Sequence, residues 1–301
     1  FEHDYFRPYL PSSPYVDPVS YANRTQIPED HLWGARQYFK VDYYSKTKAR
    51  FVSEIGYHGC PNRSSLEKMM TAEGLYPWTE GRQWNDEWIT KSTRRFVAWG
   101  PTMDRNNLML NQVNILFGSV PDDLDEFVFA SQSVQAEAMK YFVEMWRGRK
   151  FERTGIIWWN VRDGWPIISD AVVDYYGSKK LAYYFLSNVQ KNVCVFVNDP
   201  VDGAYPLVAV NDTRHPAEGT VTVTDVATGR EVFKGSYRVG ANGRETIARL
   251  PVLEGQGMLL IRYEADGERF GNHYLYGEPP YDLKEYRNWL DKTKLYANKD
   301  K

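Results

Sequence analysis

Arg50-Phe51-Val52-Ser53-Glu54-Ile55-Gly56-Tyr57-His58-Gly59-Cys60-Pro61 decides how this chain is read. Phe51 and Val52 suit a buried strand, Ser53 and Glu54 end it, and Gly56, Gly59 and Pro61 punctuate the loop that follows. One carboxylate is thereby delivered to the C-terminal end of a strand, where barrel enzymes keep their chemistry. By itself a glutamate in that position is more often a surface residue or an ion-pair partner.

About a hundred residues on stands Gly155-Ile156-Ile157-Trp158-Trp159-Asn160-Val161-Arg162-Asp163-Gly164-Trp165-Pro166-Ile167-Ile168-Ser169, followed by Asp174-Tyr175-Tyr176-Gly177-Ser178-Lys179-Lys180. Two shorter segments lie upstream, Asp4-Tyr5-Phe6-Arg7-Pro8-Tyr9-Leu10-Pro11-Ser12-Ser13-Pro14 and His31-Leu32-Trp33-Gly34. In this order the four resemble segments of glycoside hydrolase family 2, particularly its β-mannosidase-like branch. Residues 50–61 are similar to the nucleophile segment, 155–180 to the last barrel strand and the loop after it, 4–14 to the segment after the fifth strand, and 31–34 to the sixth. The resemblance covers roughly residues 1 to 185.

It implies an α/β part, residues 1–190, that is the C-terminal portion of a (β/α)8 TIM barrel from about strand five or six to strand eight. It implies Glu54 as the nucleophile of a retaining glycosidase, whose two carboxyl groups stand about 5 Å apart. Trp159 corresponds to the family's last-strand tryptophan beside the bound sugar, and Trp33 and His31 to the sixth-strand positions near the nucleophile. Asp163 and Trp165 match the Asp and Trp-Pro of the loop after strand eight, and Tyr57 and His58 are candidates for the pocket rim. The acid/base should come from an Asn-Glu pair at the end of the fourth strand, and no Asn-Glu dipeptide occurs in the sequence. The chain opens Phe-Glu-His-Asp, with neither Met nor a signal-peptide pattern, so the expectation is a piece of something longer or a processed product, its acid/base supplied by an upstream part of the same polypeptide or by another chain.

Three departures bear on specificity. Arg162 stands where the branch has Asn, Asp170 where it has Trp, and Ala35-Arg36 where an aromatic follows the glycine. A guanidinium binds a carboxylate in two-pronged fashion, so Arg162 or Arg36 is a candidate partner for an acidic sugar, against the plainer reading of both as surface or structural residues.

Composition bounds the rest. A chain of 301 residues with 43% apolar content is ordinary for one large or two smaller globular domains. A formal net charge of −2 with interspersed signs gives no basic face for nucleic acid or acidic lipid, and no apolar run is long enough to span a bilayer. Cys60 and Cys194 are too few and too far apart for a disulfide framework or a metal motif and read as small core residues; no metal and no organic cofactor are expected, and the compartment stays open. The 10 Trp and 22 Tyr exceed what a core requires and suit a glycan partner, since sugar C–H faces stack on aromatic rings.

Along the chain, residues 1–30 read as extended loop. A short helix is expected from Ser64 or Ser65 to Met70, then helices over Asp86–Trp99 and Asp104–Phe117, and the longest from Pro121, with Leu124, Phe127, Val128, Val134, Ala138 and Phe142 at helical period. Ile156–Asn160 reads as a strand and Ser178–Val189 as a helix. From residue 191 to 301 short β-rich runs such as 193–197, 207–210, 220–223, 231–233 and 258–263 alternate with turn residues, which argues an all-β, immunoglobulin-like β-sandwich, closed by an amphipathic segment from Asp282 to Lys292.

The expected function is thus that of an exo-acting retaining β-glycosidase on a terminal β-linked sugar such as a β-mannoside. The alternatives are a β-glucuronidase, β-galactosidase or glucosaminidase of the same family, and a non-catalytic carbohydrate-binding or scaffold protein.

Overall fold

A computed structural model describes residues 3–7, 9–23, 27–34, 37–92, 94–95 and 103–296. In order come α1 (Pro18–Asn23), β1 (Ile27–Leu32), α2 (Asp42–Ser45), β2 (Ala49–Ile55), α3 (Arg63–Met69) and α4 (Asp86–Thr90). The two-residue strands β3 (Arg94–Arg95) and β4 (Met103–Asp104) pair with each other and lead into α5 (Arg105–Phe117), α6 (Leu124–Arg147), β5 (Gly155–Trp158) and α7 (Leu181–Val189). Residues 1–30 are therefore not all loop: α1 and the start of β1 fall there. The helix expected over Asp86–Trp99 stops at Thr90, and Phe96 and Trp99 lie outside the described residues, as do Ala35 and Arg36.

β1, β2 and β5 form a parallel sheet with β2 in the middle. The register sets His31 opposite Glu54 and Ile55 opposite Trp158, with irregularities between Asp30 and His31 on β1 and between Val52 and Ile55 on β2. Such irregularities bend a strand and re-aim its side chains, here just where His31 and Glu54 project. Val52 and Ile55 are fully buried in one core cluster with Val134, Phe142 and Phe185 from α6 and α7. Arg50 and Glu54 stay out of that core although they share the parity of Val52, because the irregularity between Val52 and Ile55 breaks the period of two and turns Ile55 inward in place of Glu54.

α6 is the central rod. Asp123 caps it by accepting a hydrogen bond from the Glu126 amide at 3.0 Å, and Asp125 and Glu126 in its first turn suit the positive end of the helix dipole. Its apolar stripe is as the periodicity predicts, yet its polar residues Gln132, Gln135, Glu137, Lys140 and Glu144 are buried as well, because a second layer covers the other face.

That layer begins at Val193. Strands β6 (Val193–Val197), β7 (Ala204–Asn211) and β10 (Arg244–Pro251) form one antiparallel sheet in the order β10-β7-β6. Strands β8 (Ala217–Asp225), β9 (Glu231–Val239), β11 (Gly257–Ala265) and β12 (Glu268–Tyr276) form another, in the order β12-β11-β8-β9. Alternate residues of both sheets, among them Val195, Leu207, Val221, Ile261 and Tyr263, share one core. Helix α8 (Leu283–Thr293), capped by Asp282, returns to α6, where the Tyr286 hydroxyl donates to Glu137 Oε1 at 2.9 Å.

Candidate active site

Glu54 ends β2 with its carboxylate partly open to solvent. The Trp33 indole Nε1 donates to Glu54 Oε2 at 2.7 Å, and His31 Nδ1 lies 3.4 Å from the same oxygen. Both contacts fall on Oε2, which leaves Oε1 as the atom without a partner among the described residues. Gly56 makes the arrangement possible: a Cβ there would sit 2.6 Å from the Trp159 carbonyl oxygen and 2.8 Å from the Trp33 ring. Only a residue without a side chain lets the two tryptophan-bearing strand ends close on Glu54.

Behind His31 lies a carboxylate that sequence reading passed over. Glu29 is 2% exposed, and its Oε1 accepts from the Ser13 hydroxyl at 2.7 Å and from the Ser53 hydroxyl, while Oε2 accepts from the Tyr15 amide. The Ser13 hydroxyl also lies 2.9 Å from His31 Nε2, and Glu29 Oε1 is 3.7 Å from that nitrogen. The imidazole is thus held on one nitrogen by Ser13 and Glu29 and presents the other to Glu54. A fixed ring of this kind orients a neighbouring carboxylate and fixes which nitrogen carries a proton.

A second unforeseen residue is Arg105, the first of α5. Its guanidinium lies 5.6 Å from the centre of the Trp33 ring, and Nη1 is 3.7 Å from Asp170 Oδ2. Asp170 in turn stands 3.5 Å from His58 Nδ1. The aspartate that replaces an aromatic in the resemblance is therefore occupied by the arginine that opens α5 and by His58.

The loops after β2 and β5 are fastened to each other and to α6. Gln135 Nε2 donates to the carbonyls of Tyr57 at 2.9 Å and Asp170 at 2.8 Å; Gln132 Nε2 donates to the Cys60 carbonyl at 3.0 Å. The fully buried Lys180 ammonium donates to the carbonyls of Gly59 at 2.8 Å and Ser169 at 3.1 Å. Burial pulls the Lys180 ammonium below its ordinary pKa, and the charge of Asp163 works against that.

The remaining expected site residues divide. Trp159, 46% exposed, follows β5 with its amide donating to the Ile55 carbonyl at 2.7 Å, and its peptide bond to Asn160 is cis. Trp165 is half exposed on the next loop, and Arg162 is exposed, donating through Nη2 to the Tyr175 carbonyl at 2.9 Å. These three are open to solvent. Asp163 is buried, accepts from the Ser169 hydroxyl at 2.5 Å, and has its carboxyl pushed above the usual range by burial, against the pull of Lys180. Tyr57 was expected at a rim but is fully buried, its hydroxyl donating to the Gln37 carbonyl at 2.6 Å; His58 is likewise buried. The period of two explains Tyr57: it follows Ile55 at the same parity and turns into the same core. Cys60 and Cys194 are free and buried, the Cys60 thiol pushed up to about 12 by burial. Among the described residues no group of three or more His, Cys, Asp or Glu is placed to hold a metal ion, and no helix is long and apolar enough to cross a membrane.

No family model matches the chain. A β-mannosidase B from Aspergillus niger is 28% identical over 246 residues, covering 74% of this chain and 27% of its own length. A β-mannosidase from Bos taurus is 27% identical over 208 residues, 61% of this chain and 22% of its own. The chain thus spans about a quarter of the length of these curated relatives. Among solved structures, a β-D-mannosidase from Dictyoglomus thermophilum superposes with a TM-score of 0.75 at 22% identity, covering 92% of this chain and 33% of that one. An exo-chitosanase from Amycolatopsis orientalis gives 0.60 at 19% identity, covering 85% and 34%. At these identities the superpositions establish a shared fold, and in sequence the chain is similar to β-mannosidases, which are glycoside hydrolases.

Proposed function

We propose that the chain is the C-terminal part of a retaining exo-β-glycosidase of β-mannosidase type. In this reading residues 1–190 supply the last strands of a (β/α)8 barrel and residues 191–301 an immunoglobulin-like β-sandwich. The observation that carries it is the setting of Glu54: a carboxylate at the end of a parallel strand, one oxygen held by Trp33 and the other without a partner among the described residues, with the exposed Trp159 on the adjoining strand end.

Glu54 Oε1 attacks the anomeric carbon of a terminal β-linked sugar, the carbon–oxygen bond to the leaving group breaks, and a general acid hands its proton to the departing oxygen. The negative charge of Glu54 is consumed in the new ester bond. Water, deprotonated by the same acid/base residue, then attacks the anomeric carbon and returns Glu54 to its ionised state. Trp33 and His31 hold Oε2 through both steps, so that one oxygen is fixed while the other reacts. Glu29 is unsuited to the second carboxyl role, since it is buried behind His31 with both oxygens engaged. The acid/base is assigned to polypeptide outside this chain, on strands that complete the sheet.

The test is intact-mass measurement of the protein, its barrel completed, after incubation with 2-fluoro glycosyl donors of manno, gluco, glucurono and glucosamino configuration bearing an activated leaving group. The expected result is a stable adduct on Glu54, fastest with the manno donor and absent from Glu54→Gln. A folded protein that forms no adduct with any donor overturns the reading in favour of a carbohydrate-binding role.

A further inference from the structure

At the opposite end of β2 from Glu54 lies a cavity of about 280 Å3 lined by Ser45, Lys46, Thr47, Lys48, Arg50, Arg149, Glu152 and Arg153. Six residues of strand separate Lys48 from Glu54, roughly 20 Å at the rise of a β-strand, so this is a separate place from the proposed active site. Five of the eight lining side chains are cationic and one is anionic, in a chain whose formal net charge is −2.

The pairing inside the cavity is lopsided. Glu152 is taken by Arg149, which grips it from both Nε, at 3.0 Å, and Nη2. Lys46 is paired with Asp42 at 2.8 Å. Lys48 and Arg50 are exposed and form no ion pair among the described residues. Arg153 is the unusual member: it is 7% exposed, lies 4.9 Å from the centre of the Trp146 ring, and has no carboxylate within ion-pair distance among the described residues. Its Nη1 and Nη2 donate to the carbonyls of Ala49 and Thr47, but its buried Nε has no hydrogen-bond partner. Burial, helped by the nearby Arg149 charge, pulls its pKa down.

A buried guanidinium with a vacant donor and a second cation beside it is costly unless an anion completes it. If Arg153 served only to hold the 47–49 backbone, the two carbonyl bonds would explain it. They do not explain the vacant Nε, nor why Lys48 and Arg50, in no ion pair among the described residues, line the same cavity, where the charge of the single carboxylate, Glu152, is shared among Arg149, Arg153 and Lys48. We propose that this cavity is a binding site for a phosphate-class oxyanion, held by Arg153 and Arg149 from below and by Lys48 and Arg50 from the rim. The exposed Arg50 offers the planar guanidinium fork that matches the oxygens of a tetrahedral oxyanion, Arg153 adds its Nε, Lys48 a mobile point charge, and Arg149, engaged by Glu152 and the Ser45 carbonyl, adds charge alone. The anion comes either as free phosphate or as the phosphate ester of a sugar.

Calorimetric titration of the soluble protein, its barrel completed, with inorganic phosphate and separately with a hexose 6-phosphate, each at ionic strength matched with sodium chloride, tests the proposal. Saturable binding of either is expected, weakened at least tenfold in the Lys48→Ala/Arg50→Ala double variant. Those two side chains are exposed, so the variant keeps the parent's melting temperature in the absence of phosphate. Tighter binding of the ester identifies a sugar phosphate as the ligand, and equal or tighter binding of inorganic phosphate identifies the free anion. Arg153→Gln, scored only if its circular dichroism matches the parent, should also lose binding. Absence of saturable heat with both probes, or undiminished affinity in the double variant, overturns the proposal.

Discussion

The Trp33–Glu54 contact is the smallest unit on which the proposed chemistry depends. A hydrogen bond to a charged acceptor is worth about 1.5–3 kcal/mol, against about 1.4 kcal/mol per factor of ten in rate. Trp33→Phe keeps the ring and removes the donor, so it should slow glycosylation of Glu54 by roughly ten- to a hundredfold while the protein stays folded. Single-turnover kinetics with an activated aryl glycoside check this, and an unchanged rate would mean that Oε2 needs no holding. Trp33, His31 and Glu54 were legible because each sits in a short local motif whose residues are consecutive in the sequence. Glu29, Ser13 and Arg105 were not, because their meaning comes from partners in other elements: Ser13 meets Glu29 across sixteen residues, and Arg105 reaches Trp33 from the start of α5. Asp170 misled for the same reason. Read as a departure from a motif, it is an aspartate engaged by Arg105 and His58.

The strands and helices that carry those residues were legible to within a few positions wherever one face alone is apolar. β2 was expected through Phe51 and Val52 to an end at Glu54 and runs Ala49–Ile55; α8 was expected from Asp282 and begins at Leu283 behind that cap. α6 shows where periodicity falls short. Its stripe of Leu124, Phe127, Val134 and Phe142 was plain, but nothing in the pattern told that Gln132, Gln135 and Glu137 on the other faces would also be buried. A helix covered on two sides keeps polar groups only where each has a partner, and here two of those partners are the loops that flank the site. Lys180, one residue before α7, does the same from the far side. Lys180→Met leaves the Gly59 carbonyl without its donor in a dry place and takes one of two donors from the Ser169 carbonyl, which keeps the Gly59 amide at 3.2 Å. It should cost about 2–3 kcal/mol, read as a lower urea midpoint at unchanged slope, and should raise amide exchange in residues 57–61 and 167–171. If the midpoint is unmoved, the lysine does not fasten those loops.

At the scale of the whole molecule two features decide stability: a buried charged junction and a three-stranded parallel sheet whose outer edges are open among the described residues. The junction joins α6, β12 and α8. Glu137 Oε1 is 2.9 Å from His273 Nε2 and accepts from the Tyr286 hydroxyl, while His273 Nδ1 lies 2.9 Å from the Tyr296 hydroxyl. Burial alone would raise the Glu137 carboxyl, but the His273 charge, the bonds from His273 and Tyr286, and Lys140 together hold it below its ordinary 4.5. A carboxyl whose folded value is depressed stabilises the fold fully above its unfolded value and loses that contribution as pH falls through the folded one. Glu137→Gln should therefore be about 3 kcal/mol less stable than the parent at pH 6, with the gap closing below pH 4.5; a gap constant down to pH 3 would refute the ion pair. The open-edged sheet has the larger consequence. β1 and β5 each pair only with β2, so among the described residues both outer edges of a parallel sheet lack a neighbour, and Ile157 on β5 and Val161 just beyond it are 53% and 62% exposed. Parallel sheets are stable when both faces and both edges are covered, and an uncovered parallel edge offers its amides and carbonyls to any other strand. No hydrophobic pattern in the sequence announces this, because a strand that ends one sheet and a strand in the middle of another read alike. The 301-residue chain produced without completing strands should therefore self-associate, giving a light-scattering mass that grows with concentration. On the proposed reading, supplying further barrel strands, in the same polypeptide or as a second chain, should return a single species, and a compact monomer of the chain at high concentration would show that β1 and β5 protect themselves.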